Sequence, residues 1–222
     1  LLDLGFLSES AKKYRLSGEM TLESQNKDIS QSGKESGAAL GLSMEGKTVL
    51  ERRILNLDYE YFITPSFKVE TGVKNRVLVQ EQPRSVLIQY GNGDAGHTTD
   101  FTYYEQIRAA YLTMEYTTFI EDMSFTGGIR MEDAETESDA NLDSVLYHLV
   151  GFQGVFIPDQ TNHLTQYSKW YPSFLLRYRP NLFTTFQAGY SARVTRPAAD
   201  FIDPLPRNLF EPSVIRTGNP DL

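Results

Sequence analysis

Polar and apolar residues alternate with a period of two along most of this chain, the signature of strands with one apolar face. Over residues 13–24, Tyr14, Leu16, Gly18, Met20 and Leu22 fall on one side, and Lys13, Arg15, Ser17, Glu19, Thr21 and Glu23 on the other. A helix would scatter both sets around its axis. Over 53–62, Leu55, Leu57, Tyr59 and Tyr61 alternate with Asn56, Asp58 and Glu60. After Ile63-Thr64-Pro65-Ser66, Phe67, Val69 and Val73 alternate with Lys68, Glu70 and Lys74, so the two segments predict a hairpin. Residues 123–134 set Met123, Phe125, Ile129 and Met131 against Ser124, Thr126, Arg130 and Glu132. Residues 167–179 set Trp170, Phe174, Leu176 and Tyr178 against Tyr171, Ser173, Leu175 and Arg177. Residues 182–195 set Phe186, Ala188, Tyr190 and Val194 against Gln187, Ser191 and Arg193. Within 101–116 the apolar side changes: Ile107, Ala109 and Tyr111 share one face, Leu112, Met114 and Tyr116 the other, which predicts a bulge near Tyr111.

About seven long strands follow from this pattern. Connections near 63–66, 117–122 and 179–182 are short, whereas 80–100 and 132–166 are long, polar and rich in Gly, Asp and Asn. The alternation matches an outer-membrane barrel, with short periplasmic turns and long extracellular loops. Parity places residues 24–50 outside as well, and Leu40, Leu42 and Met44, in step within Ala38 to Met44, predict a hairpin arm above the membrane. One strand face is apolar and aromatic, while the other carries Glu, Lys, Arg, Thr and Ser, as lipid outside and water inside require. A soluble sandwich or lipocalin-like binding domain alternates in the same way but packs its apolar faces together. Strand length favours the barrel, since about 12 to 15 residues exceeds the usual globular strand and suits a tilted membrane crossing, and the soluble binding domain stays open as an alternative. The expected fold is all-β, an antiparallel transmembrane β-barrel segment that forms part of a larger barrel.

Composition narrows the function classes. With 13 Tyr and 13 Phe, the apolar surface is carried by large rings that suit strands and membrane interfaces. No run of 18 consecutive apolar residues occurs, so no transmembrane helix is expected and strands remain the crossing element. A net charge of -8 without a basic stripe argues against a nucleic-acid partner. The absence of cysteine removes disulfide, thiol and Cys-zinc chemistry, and is compatible with the periplasm or outer membrane. Leu1-Leu2-Asp3-Leu4-Gly5-Phe6 has neither a basic n-region nor a long apolar h-region, so no signal peptide is expected and the chain reads as mature or as a fragment.

Candidate chemistry is sparse. Glu132, Asp133, Glu135, Glu137, Asp139 and Asp143 offer carboxylates for calcium but lack the spacing and central glycine of an EF-hand, and read as a solvated acidic loop. His97, His148 and His163 stand apart, with no companion at metal-ligand spacing. Gly91-Asn92-Gly93-Asp94-Ala95-Gly96 lacks the Lys-Ser/Thr of a phosphate loop and reads as a flexible loop tip. No nucleophile elbow or Ser-His-Asp order appears, so no catalytic, cofactor or metal residue is assigned and no enzyme is expected. The apolar run Val145 to Ile157 falls in an expected external loop, where it predicts either a hairpin packed on its neighbours or a wall for a ligand or partner protein. Arg193 and Arg196 either pair with lumenal carboxylates at the strand end or bind an anionic ligand.

The closing stretch, with Arg193, Arg196, Pro197, Asp203, Pro204, Gly218, Asn219, Pro220 and Leu222, resembles the "R-x-x-R-P" strand end and "G-N-P-x-L" loop of TonB-dependent outer-membrane receptors of the Bacteroidetes kind. Asp100 to Tyr111, followed by Phe125 to Glu132, looks like the same family's "F-x-Y-x-E-x-I-x-A-A-Y … G-x-R-x-E" strand pair, and Tyr171-Pro172-Ser173 like its "F-P-S" strand opening. The resemblance implies a barrel of 22 strands around an amino-terminal plug, which the TonB complex drives to import a scarce ligand. Residues 1–222 would then be part of the barrel domain, without the plug, the TonB-contact segment or the terminal strands, in the outer membrane of a Gram-negative bacterium. The implied partners are outer-membrane lipid, the TonB complex through the plug, and a small-molecule, glycan or peptide ligand. Loops 80–100 and 132–166 would share in capture, and residues 197–222 would form a further external loop. The alternative is an outer-membrane scaffold or surface-binding barrel with a partner protein and no transport.

Overall fold

The computed structural model describes residues 2–10, 14–34, 40–90, 93–118, 123–142, 146–149, 152–155, 159–205, 207–208, 215–216 and 218–220. The main sheet is antiparallel and contains β1 (Leu2–Ser10), β2 (Tyr14–Lys34), β3 (Leu40–Thr64), β4 (Phe67–Glu81), β5 (Arg84–Tyr90), β6 (Gly93–Thr117), β7 (Met123–Leu142), β10 (Asp159–Asn181) and β11 (Thr184–Ser191). Its order is β1-β2-β3-β4-β6-β7-β10-β11, with β5 between β3 and β6, and no ladder joins β11 back to β1 among the described residues. β8 (Leu146–Leu149) and β9 (Phe152–Val155) form a separate hairpin, and β12 (Arg207–Asn208) and β13 (Ile215–Arg216) a two-residue ladder. This is the expected barrel segment. Among the described residues no helix is long and apolar enough to cross a membrane.

The strands are longer than the sequence pattern indicated. β6 has 25 residues, about 85 Å of extended chain, where a tilted crossing needs about 9 to 11 residues. The expected long loops 80–100 and 132–166 are largely continuations of the ladder. β4 and β5 are one column: Val49↔Glu81 and Gly46↔Arg84 keep one register on β3, and Glu81↔Thr102 and Arg84↔Thr99 keep one on β6. Pro83, which has no N–H to give, interrupts the strand without shifting it. Its carbonyl still accepts from Lys47 N at 3.1 Å, and Gln82 N donates to Phe101 O at 2.8 Å. The glycine-rich stretch expected as a loop tip enters β6 at Gly93, opposite Tyr90, and Gly91-Asn92 lie outside the described residues. The arm expected over 24–50 is present as the paired ends of β2 and β3, through Lys34↔Gly41.

No bulge occurs near Tyr111, because the β6–β7 register runs unbroken from Thr99↔Leu142 to Thr117↔Ser124. What changes is the surroundings. On one face of β6, Phe101, Tyr103, Glu105, Ile107 and Ala109 are buried, and the same face continues as Tyr111, Thr113 and Glu115. The opposite face carries Thr102, Tyr104, Gln106 and Arg108, then Ala110, Leu112, Met114 and Tyr116. β7 repeats the switch: its outer face reads Met123, Phe125, Ile129 and Met131, then Asp133, Glu135, Glu137 and Asp139. The two boundaries align, since Met131 is opposite Ala110 and Asp133 opposite Arg108, whose charges lie 3.8 Å apart. Below that row the outer face is apolar, as contact with lipid would require; above it the outer face is polar and the apolar residues turn inward. The acidic run is therefore the wet outer face of β7, with Glu132 alone pointing inward, and not a loop; Asp143 lies outside the described residues.

The inward apolar residues need a cover, and the chain after β11 supplies it. β11 leaves the ladder after Ala192 N donates to Pro172 O. Residues 192–205 then cross the inner face as a strap containing one helical turn, α1 (Ala199–Ile202). Ala199, Ile202 and Leu205 pack with Phe101, Tyr103, Ala140 and Leu142, with Leu78 at the margin. Each large side chain buried in this way contributes about 1.5–3 kcal/mol. The expected external loop thus folds back against the wall through its first half, held by contacts the strand pattern does not encode.

Candidate functional site

The inner face carries charge at successive levels. Nearest the short-turn end, Lys68 Nζ lies 3.2 Å from Glu60 and 3.1 Å from Glu115, and Arg15 reaches Glu60 at 3.5 Å. One level up, the Tyr111 hydroxyl lies 2.6 Å from Asp58 Oδ1 and 3.2 Å from Glu70 Oε1. Tyr111 spans the column between because Gly72 leaves room, as a Cβ there would sit 2.6 Å from Tyr111 Cε1.

Above these the strap joins the wall in an alternating ion chain. Arg76 pairs with Glu105, Glu105 lies 3.8 Å from Arg196 Nε, Arg196 Nη2 donates to Glu132 Oε2 at 2.5 Å, and Glu132 Oε1 accepts from Arg130 Nε at 2.6 Å. The Glu105 side chain is 2% exposed, and a carboxylate so buried is stable only if paired. Burial works against the Arg196 charge, but the hydrogen bond to Glu132, together with the charges of Glu132 and Tyr167 beside it, holds its pKa above the ordinary value. Burial, together with the Glu105 carboxylate, pushes the Tyr103 hydroxyl up to about 12.

Of the two arginines singled out in the sequence, Arg196 therefore pairs with lumenal carboxylates, while Arg193 Nε donates to Ser191 Oγ at 3.3 Å. A pocket of about 210 Å³ opens beside Arg196, between the strap and β6, β7 and β10. His163 lines it, with Thr165 Oγ1 at 3.2 Å from its Nε2. His97 lies on β6 and His148 on β8, so the three histidines sit on different strands. Leu146–Leu149 and Phe152–Val155 form the hairpin expected within the apolar run. Sequence reading missed Glu105, Arg76, Tyr167 and Lys169 as site residues. Glu105 left a signal: it is the charged member of the series Phe101, Tyr103, Glu105, Ile107 and Ala109.

The strap's return explains the proline-punctuated motif. Asp203 Oδ1 accepts from Leu205 N at 2.9 Å, and its Oδ2 is 3.1 Å from Arg84 Nη1. Gly218 N donates to Asp203 O at 2.7 Å and Asn219 N to Phe201 O at 2.8 Å. A Cβ on Gly218 would lie 2.6 Å from both carbonyl oxygens, so this approach requires glycine.

A long antiparallel wall with an apolar outer band, aromatic rings near the short turns and a charged inner face defines an outer-membrane β-barrel protein. The sequence matches the model of the outer membrane protein beta-barrel family over residues 13–222, and the chain belongs to that family. Its place is the bacterial outer membrane, which sets aside the soluble sandwich. A search of curated proteins found no match.

Proposed function

We propose that the chain forms part of a TonB-dependent transporter of the Bacteroidetes kind, which binds a scarce ligand at the cell surface and imports it without chemical change. The observation that supports this reading is the inner face, lined with charge from Glu60 to Glu132. Such a lining suits a lumen filled by water or by a separate plug, and not a small barrel filled by its own apolar side chains. The receptor-like patterns at 100–132 and 193–222 point the same way. In this reading the plug couples the barrel to the TonB complex, and the ligand is a small molecule, glycan or peptide.

The test is uptake by cells carrying the full-length gene, with and without an active TonB complex, over a panel of siderophores, cobalamin, oligosaccharides and peptides. Import of one class that stops when either the gene or the complex is removed supports transport. The paired arms above the lipid boundary favour a second reading, a surface-binding scaffold with a protein partner. Undiminished energised uptake of the whole panel in the gene deletion, with a surface complex lost, would select that reading.

A further inference from the structure

The inner face holds more positive charge than its ion chain uses. Four cations, Arg76, Arg130, Arg196 and Lys169, meet two carboxylates, Glu105 and Glu132, and each carboxylate is already shared between two guanidinium groups. Lys169 forms no ion pair among the described residues; its Nζ lies 5.5 Å from the centre of the Tyr167 ring. Arg196 Nε is buried without a hydrogen-bond acceptor, since Glu105 Oε1 at 3.8 Å neutralises it without accepting.

Both cations line the pocket beneath the strap, and the hydroxyl-bearing residues Thr136, Ser138 and Thr165 line it too. The geometry points to this pocket as an oxyanion subsite, which takes a carboxylate or phosphate group of a ligand through Lys169, with the Arg196 guanidinium adding positive charge at its wall. Glu105 also borders the pocket, and its charge is taken up by Arg76 and Arg196. The volume of about 210 Å³ suits a phosphate or a short dicarboxylate, being smaller than the pockets that enclose drug-sized ligands. Lys169 supplies the mobile charge, whereas Arg196, fixed by Glu132, holds a second positive charge beside it. The subsite concerns binding alone and stands whether or not the barrel imports.

Calorimetric titration of the purified full-length protein in micelles tests it, with inorganic phosphate in one arm, succinate in another and maltose as the neutral control. Saturable binding of one or both anions is expected, and the tighter arm names the source of the group. Lys169→Gln should weaken that binding about tenfold or more, Lys169→Arg should keep it, and Arg53→Gln, on the outer face, should leave it unchanged. Neither anion binding below about 10 mM, or equal binding by the Lys169→Gln protein, would overturn the assignment. Heat-modifiable migration on gels confirms that each variant retains its barrel, so loss of binding is not loss of fold.

Discussion

Arg84 Nη1 meets Asp203 Oδ2 at 3.1 Å across a separation of 119 residues, joining the strand just past Pro83 to the strap that covers the inner wall. Asp203 is 0% exposed, and the same carboxylate caps the backbone at Leu205. Asp203→Ala removes both bonds and leaves Arg84, which still reaches Gln82, without its buried carboxylate. The strap is expected to lose about 2–4 kcal/mol of docking free energy while the sheet stays paired. Limited proteolysis reads this as new cleavage between residues 192 and 222 in a protein that still shows heat-modifiable migration. An unchanged digestion pattern would refute the anchoring role.

Gly72 and Tyr111 form a cross-strand fit inside the lipid-level wall. Gly72→Ala places a methyl where the Tyr111 ring now lies and displaces that hydroxyl from Asp58. Overpacking of this kind costs about 1–3 kcal/mol. Urea unfolding in lipid vesicles should show the loss in Gly72→Ala, and the double variant Gly72→Ala/Tyr111→Ala should recover part of it, since the clash with the ring is gone and only that with Asp58 Oδ1 remains.

The lipid boundary is sharp enough to test with charge. Leu112, opposite Ile129, lies in the outer apolar band, whereas Glu137 lies on the same face of the wall above the Arg108–Asp133 row. Leu112→Arg should cost about 2–4 kcal/mol of folding free energy in bilayers, and Glu137→Arg close to none. Equal costs at the two positions would contradict the placement of the membrane surface.

Tyr103 gives the wall an alkaline limit. Its folded pKa of about 12 exceeds the ordinary tyrosine value near 10, because burial and the Glu105 carboxylate disfavour the phenolate. A group whose folded pKa is raised contributes stability that is complete below its unfolded pKa and is lost as pH rises through the folded one. The loss should therefore fall between about pH 10 and 12, at up to about 1.4 kcal/mol per pH unit. Tyr103→Phe should flatten this part of the stability profile, and an unchanged slope would remove Tyr103 as the cause.

How much of this was legible in the chain differs between wall and strap. Period-two alternation in 13–24, 53–74 and 123–134 determined strands, their facing and the short turns between them, because side chains on a strand alternate by geometry alone. The same rule led astray at Tyr111, where an uninterrupted ladder passes from water into lipid and exchanges its apolar side. Alternation reports that a face is apolar; only the surroundings say whether lipid or protein covers it. The acidic series from Asp133 to Asp139 likewise looked like a loop, since a strand face in water carries no apolar signature.

The sequence by itself determined an antiparallel wall of amphipathic strands, since alternation depends on residues a few positions apart, and its family match placed that wall in the outer membrane. The tertiary structure decided where lipid ends, that residues 192–205 turn inward, and that Arg196 falls between Glu105 and Glu132. The last two depend on contacts between segments 64 or more residues apart, such as Arg196 with Glu132 and Arg84 with Asp203. Such pairings arise when a buried carboxylate must find a cation within reach, and the reach is set by packing that no local spacing records.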